Sequence, residues 1–168
     1  ILIFKTRSFF VKEGSPNKIR ELNDSIVYNI GKVYVFLNQY LSDIYREFSL
    51  NPAKFNLLMV IKHVGAEEGI SQNNLKEQLC VSAANITKLI DGLQDKGLII
   101  RIASKTDRRV NLIKITENGQ KLIEAVWPRH VGALNALLKD YNYDDRCSFN
   151  HYISKFIDEM RLITGNHE

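Results

Sequence analysis

Apolar residues recur at spacings of three and four along the N-terminal part of the chain. The series follows Ser15-Pro16, a pair typical of a helix start because serine can cap the first turn and proline suits its first position. Its members are Ile19, Leu22, Ile26, Ile30, Val33, Leu37, Leu41, Ile44 and Phe48. These residues would share one side of a helix, so the pattern predicts a long helix over residues 15–48.

Four aromatic residues of this segment lie outside the apolar stripe, namely Tyr28, Tyr34, Phe36 and Tyr40. On an isolated helix they would be exposed to water, so they favour a second packed face, against a partner subunit or a ligand. The alternative is a helix that packs only within its own domain. If a ligand pocket exists, Tyr28, Tyr34, Tyr40, Trp127 and His130 are its candidate residues, although each is more often core or interface.

Three further helix starts share one pattern, in which an apolar residue precedes a capping side chain. The caps are Asn51, Ser71 and Ser82, and they predict helices near residues 52–64, 72–79 and 83–96, with Gly65 as the left-handed stop of the first. Only residues 80–82 separate the second helix from the third. Two helices joined by so short a turn form a helix-turn-helix.

The helix predicted at residues 83–96 has two different faces. Its apolar face contains Ile86, Leu89, Ile90 and Leu93, so Ala84, Asn85, Thr87, Lys88 and Asp91 point outward or sideways. Small residues allow close approach to a DNA groove, an asparagine can pair with adenine, and a lysine can reach a phosphate. The alternative is an ordinary solvated face.

Two short apolar runs, residues 98–102 and 110–115, are rich in β-branched side chains and predict two strands. The loop between them carries Lys105, Asp107, Arg108 and Arg109. A basic hairpin directly after a helix-turn-helix predicts a β-wing. One arginine could enter the narrow minor groove while Asp107 holds the other, and the alternative is a solvated loop.

Two amphipathic helices are predicted in the C-terminal part of the chain. Thr116 and Asn142 are their capping residues, and Gly165 is the stop of the second. The apolar stripes contain Leu122, Val126, Leu134, Leu137, Leu138 and Tyr141 in the first and Phe149, Ile153, Phe156, Met160 and Ile163 in the second. With the long first helix, they offer more apolar surface than one small winged domain can cover, although the pattern alone also allows packing within one subunit.

Composition narrows the class of protein. The chain has 168 residues, 45% of them hydrophobic, a net charge of +4 and a pI of about 9.0. It is therefore expected to fold as a single domain over residues 1–168, and its charge favours a polyanionic partner. No membrane span, metal site, cofactor motif or catalytic constellation is indicated, so we expect a soluble, cytoplasmic protein that is not an enzyme.

The two cysteines, Cys80 and Cys147, form no CxxC motif and indicate no disulfide framework. Cys80 lies in the predicted turn between the helices of the helix-turn-helix, where its oxidation would disturb DNA docking. The favoured alternative is a small buried residue that fills the turn.

The segment from Leu50 to Gly119 resembles the MarR family of winged-helix transcription regulators. Asp107-Arg108-Arg109 is similar to the family's Asp-x-Arg wing pattern, Ile115-Thr116-x-x-Gly119 to its Leu-Thr-x-x-Gly, and Lys96-Gly97-Leu98-Ile99-Ile100-Arg101 to its Lys-Gly-Leu-Val-x-Arg. The resemblance implies a mainly α fold with a small β-wing. In it a winged helix-turn-helix at residues 50–116 is flanked by dimerisation helices at 15–48 and 117–165.

The same resemblance implies a homodimer on double-stranded DNA, whose recognition helices enter successive major grooves and whose wings reach the minor groove. The residues that would contact DNA are Ser82, Ala84, Asn85, Thr87 and Lys88 in the major groove, Lys105 and either Arg108 or Arg109 in the wing, and Asp107 as the residue that orients it. The expected function is transcription regulation, as a repressor on a pseudo-palindromic operator, released by a small-molecule effector. The alternative is a winged-helix module that binds another protein without specific DNA binding.

Overall fold

The computed structural model describes residues 18–79, 81–104 and 110–165 of the chain. The helices and strands are, in order, α1 Lys18–Arg46, α2 Pro52–His63, β1 Ile70–Ser71, α3 Gln72–Leu79, α4 Ala83–Gln94, β2 Ile99–Ala103, β3 Asn111–Ile115, α5 Glu117–Leu137 and α6 Tyr143–Thr164. The mainly helical fold with a small sheet is confirmed. Its α3 and α4 form the helix-turn-helix, and β2 and β3 form the base of the wing.

Side-chain caps fix where five helices begin, as the sequence predicts. The caps of α2 and α4 are Asn51, which accepts from the Lys54 amide at 2.9 Å, and Ser82, which accepts from the Asn85 amide at 3.3 Å. Ser71, Thr116 and Asn142 do the same for α3, α5 and α6. Each cap satisfies an amide that the helix itself cannot.

The predicted role of Gly65 as a left-handed stop is wrong. Val64 caps α2 in a right-handed conformation, and the left-handed residue of this turn is Ala66, at φ 40°. Gly65 is needed for space instead, because a Cβ there would lie 2.6 Å from the carbonyl oxygen of Ile61. By contrast, Gly165 does end α6 in the left-handed region, at φ 68°.

The sheet has the antiparallel order β1-β3-β2. Strand β3 is central, with Ile113 opposite both Ile70 of β1 and Arg101 of β2. Two residues of β1 are too few for a period-two pattern, so sequence reasoning missed this strand. The strands predicted at 98–102 and 110–115 are present with their starts shifted by one residue.

One hydrophobic core joins the winged helix to parts of the long helices. Leu57, Leu58, Leu75, Ile90 and Leu93 are fully buried in it. Tyr45 from the last turns of α1 and Ile123 and Val126 from α5 belong to the same cluster. The end of α1 and the start of α5 therefore hold the winged helix in place.

Much of the remaining apolar surface of the long helices is exposed in the described part of the chain. None of the described residues of α6 is buried. In α1, Ile19 near the start is 76% exposed and Phe36 past the middle is 62% exposed, whereas Leu41 and Ile44 farther along pack against the core. Among the described residues, no helix has both the length and the apolar character needed to cross a membrane.

Candidate nucleic-acid interface

The outward face of α4 consists of small and polar side chains. The predicted contact residues Ser82, Ala84, Asn85, Thr87 and Lys88 are all exposed. On the opposite face Ile86, Ile90 and Leu93 are at most 1% exposed, and Leu89 is half-buried. The buried face holds the helix rigidly, so the outward face can enter a groove as a fixed ridge.

Thr87 is tied to its neighbours in a way the sequence did not reveal. Its hydroxyl donates to the carbonyl oxygen of Ala83 at 2.9 Å and accepts from the side-chain amide of Gln72 at 2.7 Å. Gln72 is the first residue of α3, so this bond joins the two helices of the motif beside the groove-facing surface. The sequence gives no signal for this hydrogen bond beyond the position of Gln72 directly after the Ser71 cap.

Arg101 of β2 makes a second connection to α4. Its guanidinium donates to the Asp91 carboxylate at 2.5 Å and also to the side-chain oxygen of Gln94. The pair is partly exposed, so it contributes at most about 1 kcal/mol to stability. Its main effects are to neutralise a carboxylate at the edge of the reading helix and to fix the wing strand against that helix.

The tip of the wing, with Lys105, Asp107, Arg108 and Arg109, lies outside the described residues, as does Cys80. The base of the wing is described. The last pair of the β2–β3 ladder is Ala103 with Asn111, and beyond it the Ser104 amide donates to the Val110 carbonyl at 2.9 Å. The described part of the hairpin is therefore hydrogen-bonded up to residues 104 and 110.

A cavity of about 870 Å³ runs beside the outward face of α4. We call it the α4 groove. Its walls come from three helices, and they include Tyr34, Asn51, Ala53, Lys54, Ala84, Asn85, Lys88, Asp91, Gly92 and Asp95. The surface available to a ligand thus extends beyond the helix-turn-helix itself.

Known proteins match both the sequence and the fold. A family model described as MarR family matches residues 50–110. The transcriptional regulator MhqR of Bacillus subtilis is 29% identical over 109 residues, which cover 65% of this chain and 73% of MhqR. Residues 50–110 of the chain therefore match the MarR family, and the resemblance that the sequence motifs indicate is confirmed for this segment.

Solved structures support the MarR fold. A mutant MarR from E. coli, crystallised with operator DNA, superposes with a TM-score of 0.72 at 23% identity, over 83% of this chain and 96% of that one. CouR from Rhodococcus jostii, crystallised with p-coumaroyl-CoA, gives a TM-score of 0.67 at 20% identity, over 84% and 93% of the two chains. At these identities the structures establish the winged-helix fold.

Among the cavities lined by described residues, the candidate pocket residues are distributed over different ones. Trp127 lines a cavity of about 260 Å³ between α2 and α5, and Tyr40 lines one of about 320 Å³ between α1 and α5. Tyr34 lines the α4 groove, and Tyr28 lies on the exposed part of α1. Among the described residues, no group of histidine, cysteine and carboxylate side chains could hold a metal ion.

His130 instead packs at the junction between the long helices and the winged helix. Its Nδ1 lies 2.7 Å from the Tyr45 hydroxyl, and its ring lies against Phe55 and Trp127 at centroid distances of 5.1 and 5.4 Å. Burial raises the pKa of Tyr45 to about 12, so this phenol stays protonated while its hydroxyl shares a hydrogen bond with Nδ1 of His130. The bond links α1 to α5 across α2.

We expect acid to weaken this junction. Burial lowers the pKa of His130 from its ordinary value of 6.5, so below that pH the unfolded chain takes up a proton more readily than the folded one. The stabilising contribution of the neutral His130 side chain is fully present above about pH 6.5 and is lost as the pH falls. Urea unfolding of the parent and of His130→Gln should show a steeper loss of stability in the parent between about pH 7.5 and 5.5. His63→Gln, at an exposed position, should behave like the parent. Identical slopes of stability against pH for all three proteins would contradict the role given to His130.

Proposed function

We propose that this protein is a homodimeric transcription regulator that binds double-stranded DNA and acts as a repressor on a pseudo-palindromic operator. The observation that carries the proposal is the division of α4 into a buried face and an exposed face of small and polar residues. The relatives support it, because MhqR is a transcriptional regulator and the E. coli MarR mutant was crystallised with operator DNA.

In this proposal Ser82, Ala84, Asn85, Thr87 and Lys88 face the major groove. Asn85 is positioned to pair with a base, and Lys88 to contact a phosphate. The wing carries Lys105 and the two arginines to the minor groove, where Arg108 or Arg109 inserts and Asp107 orients the loop.

The exposed apolar faces of α1 and α6 support dimerisation. Two copies that bury these faces would place two reading helices on one side of a duplex, with half-sites about one helical turn apart. We infer one functional unit over residues 1–168, a cytoplasmic location and no enzymatic activity, since the relatives are transcriptional regulators.

A small-molecule effector would act by changing the separation of the two reading heads. The cavity between α2 and α5 is a suitable place, because it lies where the winged helix meets a dimerisation helix and is lined by Trp127, Lys62 and Glu124. CouR, crystallised with p-coumaroyl-CoA, is a relative of the same fold with a bound organic ligand.

The test is a fluorescence-anisotropy titration with duplexes from the DNA upstream of the protein's own gene. The parent should prefer one duplex over a scrambled one, and its affinity should fall steeply with salt because phosphate contacts release counterions. Asn85→Ala should weaken binding to the preferred duplex by about 1–3 kcal/mol. Asn118→Ala, the same change at an exposed position of α5, should leave binding unchanged. Micromolar binding that ignores sequence would refute the proposal in favour of a protein-interaction module.

A further inference from the structure

A lysine from outside the helix-turn-helix lies across the reading helix. Lys54 is in the first turn of α2, and its side chain extends over Gly92 of α4. A Cβ added at Gly92 would lie 3.1 Å from the Lys54 ammonium nitrogen and 3.4 Å from its Cε. The end of this lysine therefore occupies the place that a side chain at position 92 would take.

Position 92 belongs to the groove-facing row of α4. Residues four apart stand one above the other on a helix, so Ala84, Lys88 and Gly92 form one row. All three line the α4 groove, and Lys54 lines it with them. The ammonium of Lys54 thus continues the row of α4 one turn beyond Lys88, at a position where α4 has only a hydrogen atom.

None of the described carboxylates, within residues 18–79, 81–104 and 110–165, forms an ion pair with Lys54. Asp91 and Asp95 line the same groove, but Asp91 is paired with Arg101. A cation held in this position can bind an anion that enters the groove.

We propose that Lys54 contacts a phosphate of the DNA backbone and so extends the DNA-binding site from α3 and α4 onto α2. This inference rests on the proposed function. A phosphate contact carries no sequence information, so Lys54 contributes to affinity and register and leaves the choice of sequence to the residues of α4.

The test measures DNA affinity against salt for Lys54→Met, which keeps the apolar stem and removes the charge. Affinity should fall several-fold for preferred and scrambled duplexes alike. The slope of log affinity against log salt should become less steep by about 0.9, the loss of one counterion-releasing contact. Lys121→Met is the matched control, because Lys121 lies on α5, is paired with Glu117 and does not line the α4 groove. It should bind like the parent.

Gly92→Ala provides the second variant. Its Cβ would press only on the flexible end of Lys54, which would have to shift by a few tenths of an ångström, so the fold should survive while the ammonium is pushed out of its position over Gly92. Affinity should fall in the parent background and should not fall further in Lys54→Met. An equal loss in both backgrounds, or a Lys54→Met protein with the parental salt slope, would overturn the proposal. A parent that binds no duplex would refute the proposed function itself.

Discussion

Replacing Gly119 by alanine should lower the free energy of unfolding by about 3 kcal/mol or more, the range reached when a core is overpacked against backbone. Gly119 is buried in the first turn of α5, and an added Cβ would lie 2.2 Å from the carbonyl oxygen of Leu98. That oxygen also accepts a hydrogen bond from the Thr116 amide at 3.1 Å. To relieve the clash, the chain would have to break the hydrogen-bonded turn that joins the sheet to α5, which we call the corner.

Gly132→Ala is the matched control for this variant. Gly132 lies in the same helix, and nothing lies within 4 Å of a Cβ built there. Alanine should stabilise the helix by up to about 1 kcal/mol, because glycine costs more conformational entropy. Denaturant unfolding monitored by circular dichroism would measure the free energy of unfolding of both variants. A Gly119→Ala protein as stable as Gly132→Ala would show that the corner is not closely packed.

Phe156→Asp should convert the proposed dimer to monomers and should thereby reduce its affinity for the operator. Phe156 lies on the apolar stripe of α6, which has no buried residue within its own chain. An aspartate there would cost the isolated subunit little. In the dimer it would remove an aromatic anchor and bury a carboxylate, so the dimer dissociation constant should rise by roughly three orders of magnitude, about 4 kcal/mol.

Ser154→Asp introduces the same charge on the opposite side of α6 and should leave the dimer intact. Light scattering after size-exclusion chromatography measures the mass of each variant, and anisotropy measures operator binding. If the parent is a dimer and Phe156→Asp remains one, α6 does not form the interface. If the parent is a monomer, the homodimer proposal fails.

Sequence predicts best those features that depend on neighbouring residues. Each cap acts within three residues of its helix start, so the sequence identifies Asn51, Ser71, Ser82, Thr116 and Asn142. The apolar face of α4 is likewise a local pattern. Both the winged-helix fold and the exposed positions of α4 therefore follow from patterns that are short along the chain.

Features that depend on tertiary packing could not be predicted in this way. The sequence places a glycine at position 65 but does not show that the Ile61 carbonyl requires it. Arg101 and Lys54 look like ordinary surface cations until β2 and α2 are placed against α4. Their partners are 10 and 38 residues away along the chain, beyond the reach of any periodicity.

The uncovered stripe of α6 has a consequence for how this helix is formed. Most of the stability of a helix in a protein comes from packing of its apolar face, and α6 has no buried residue that could supply it within its own chain. If a second copy covers the stripe, the ordering of α6 and association of the subunits become one thermodynamic reaction. The fraction of molecules with an ordered C-terminal helix then depends on the concentration of the protein itself.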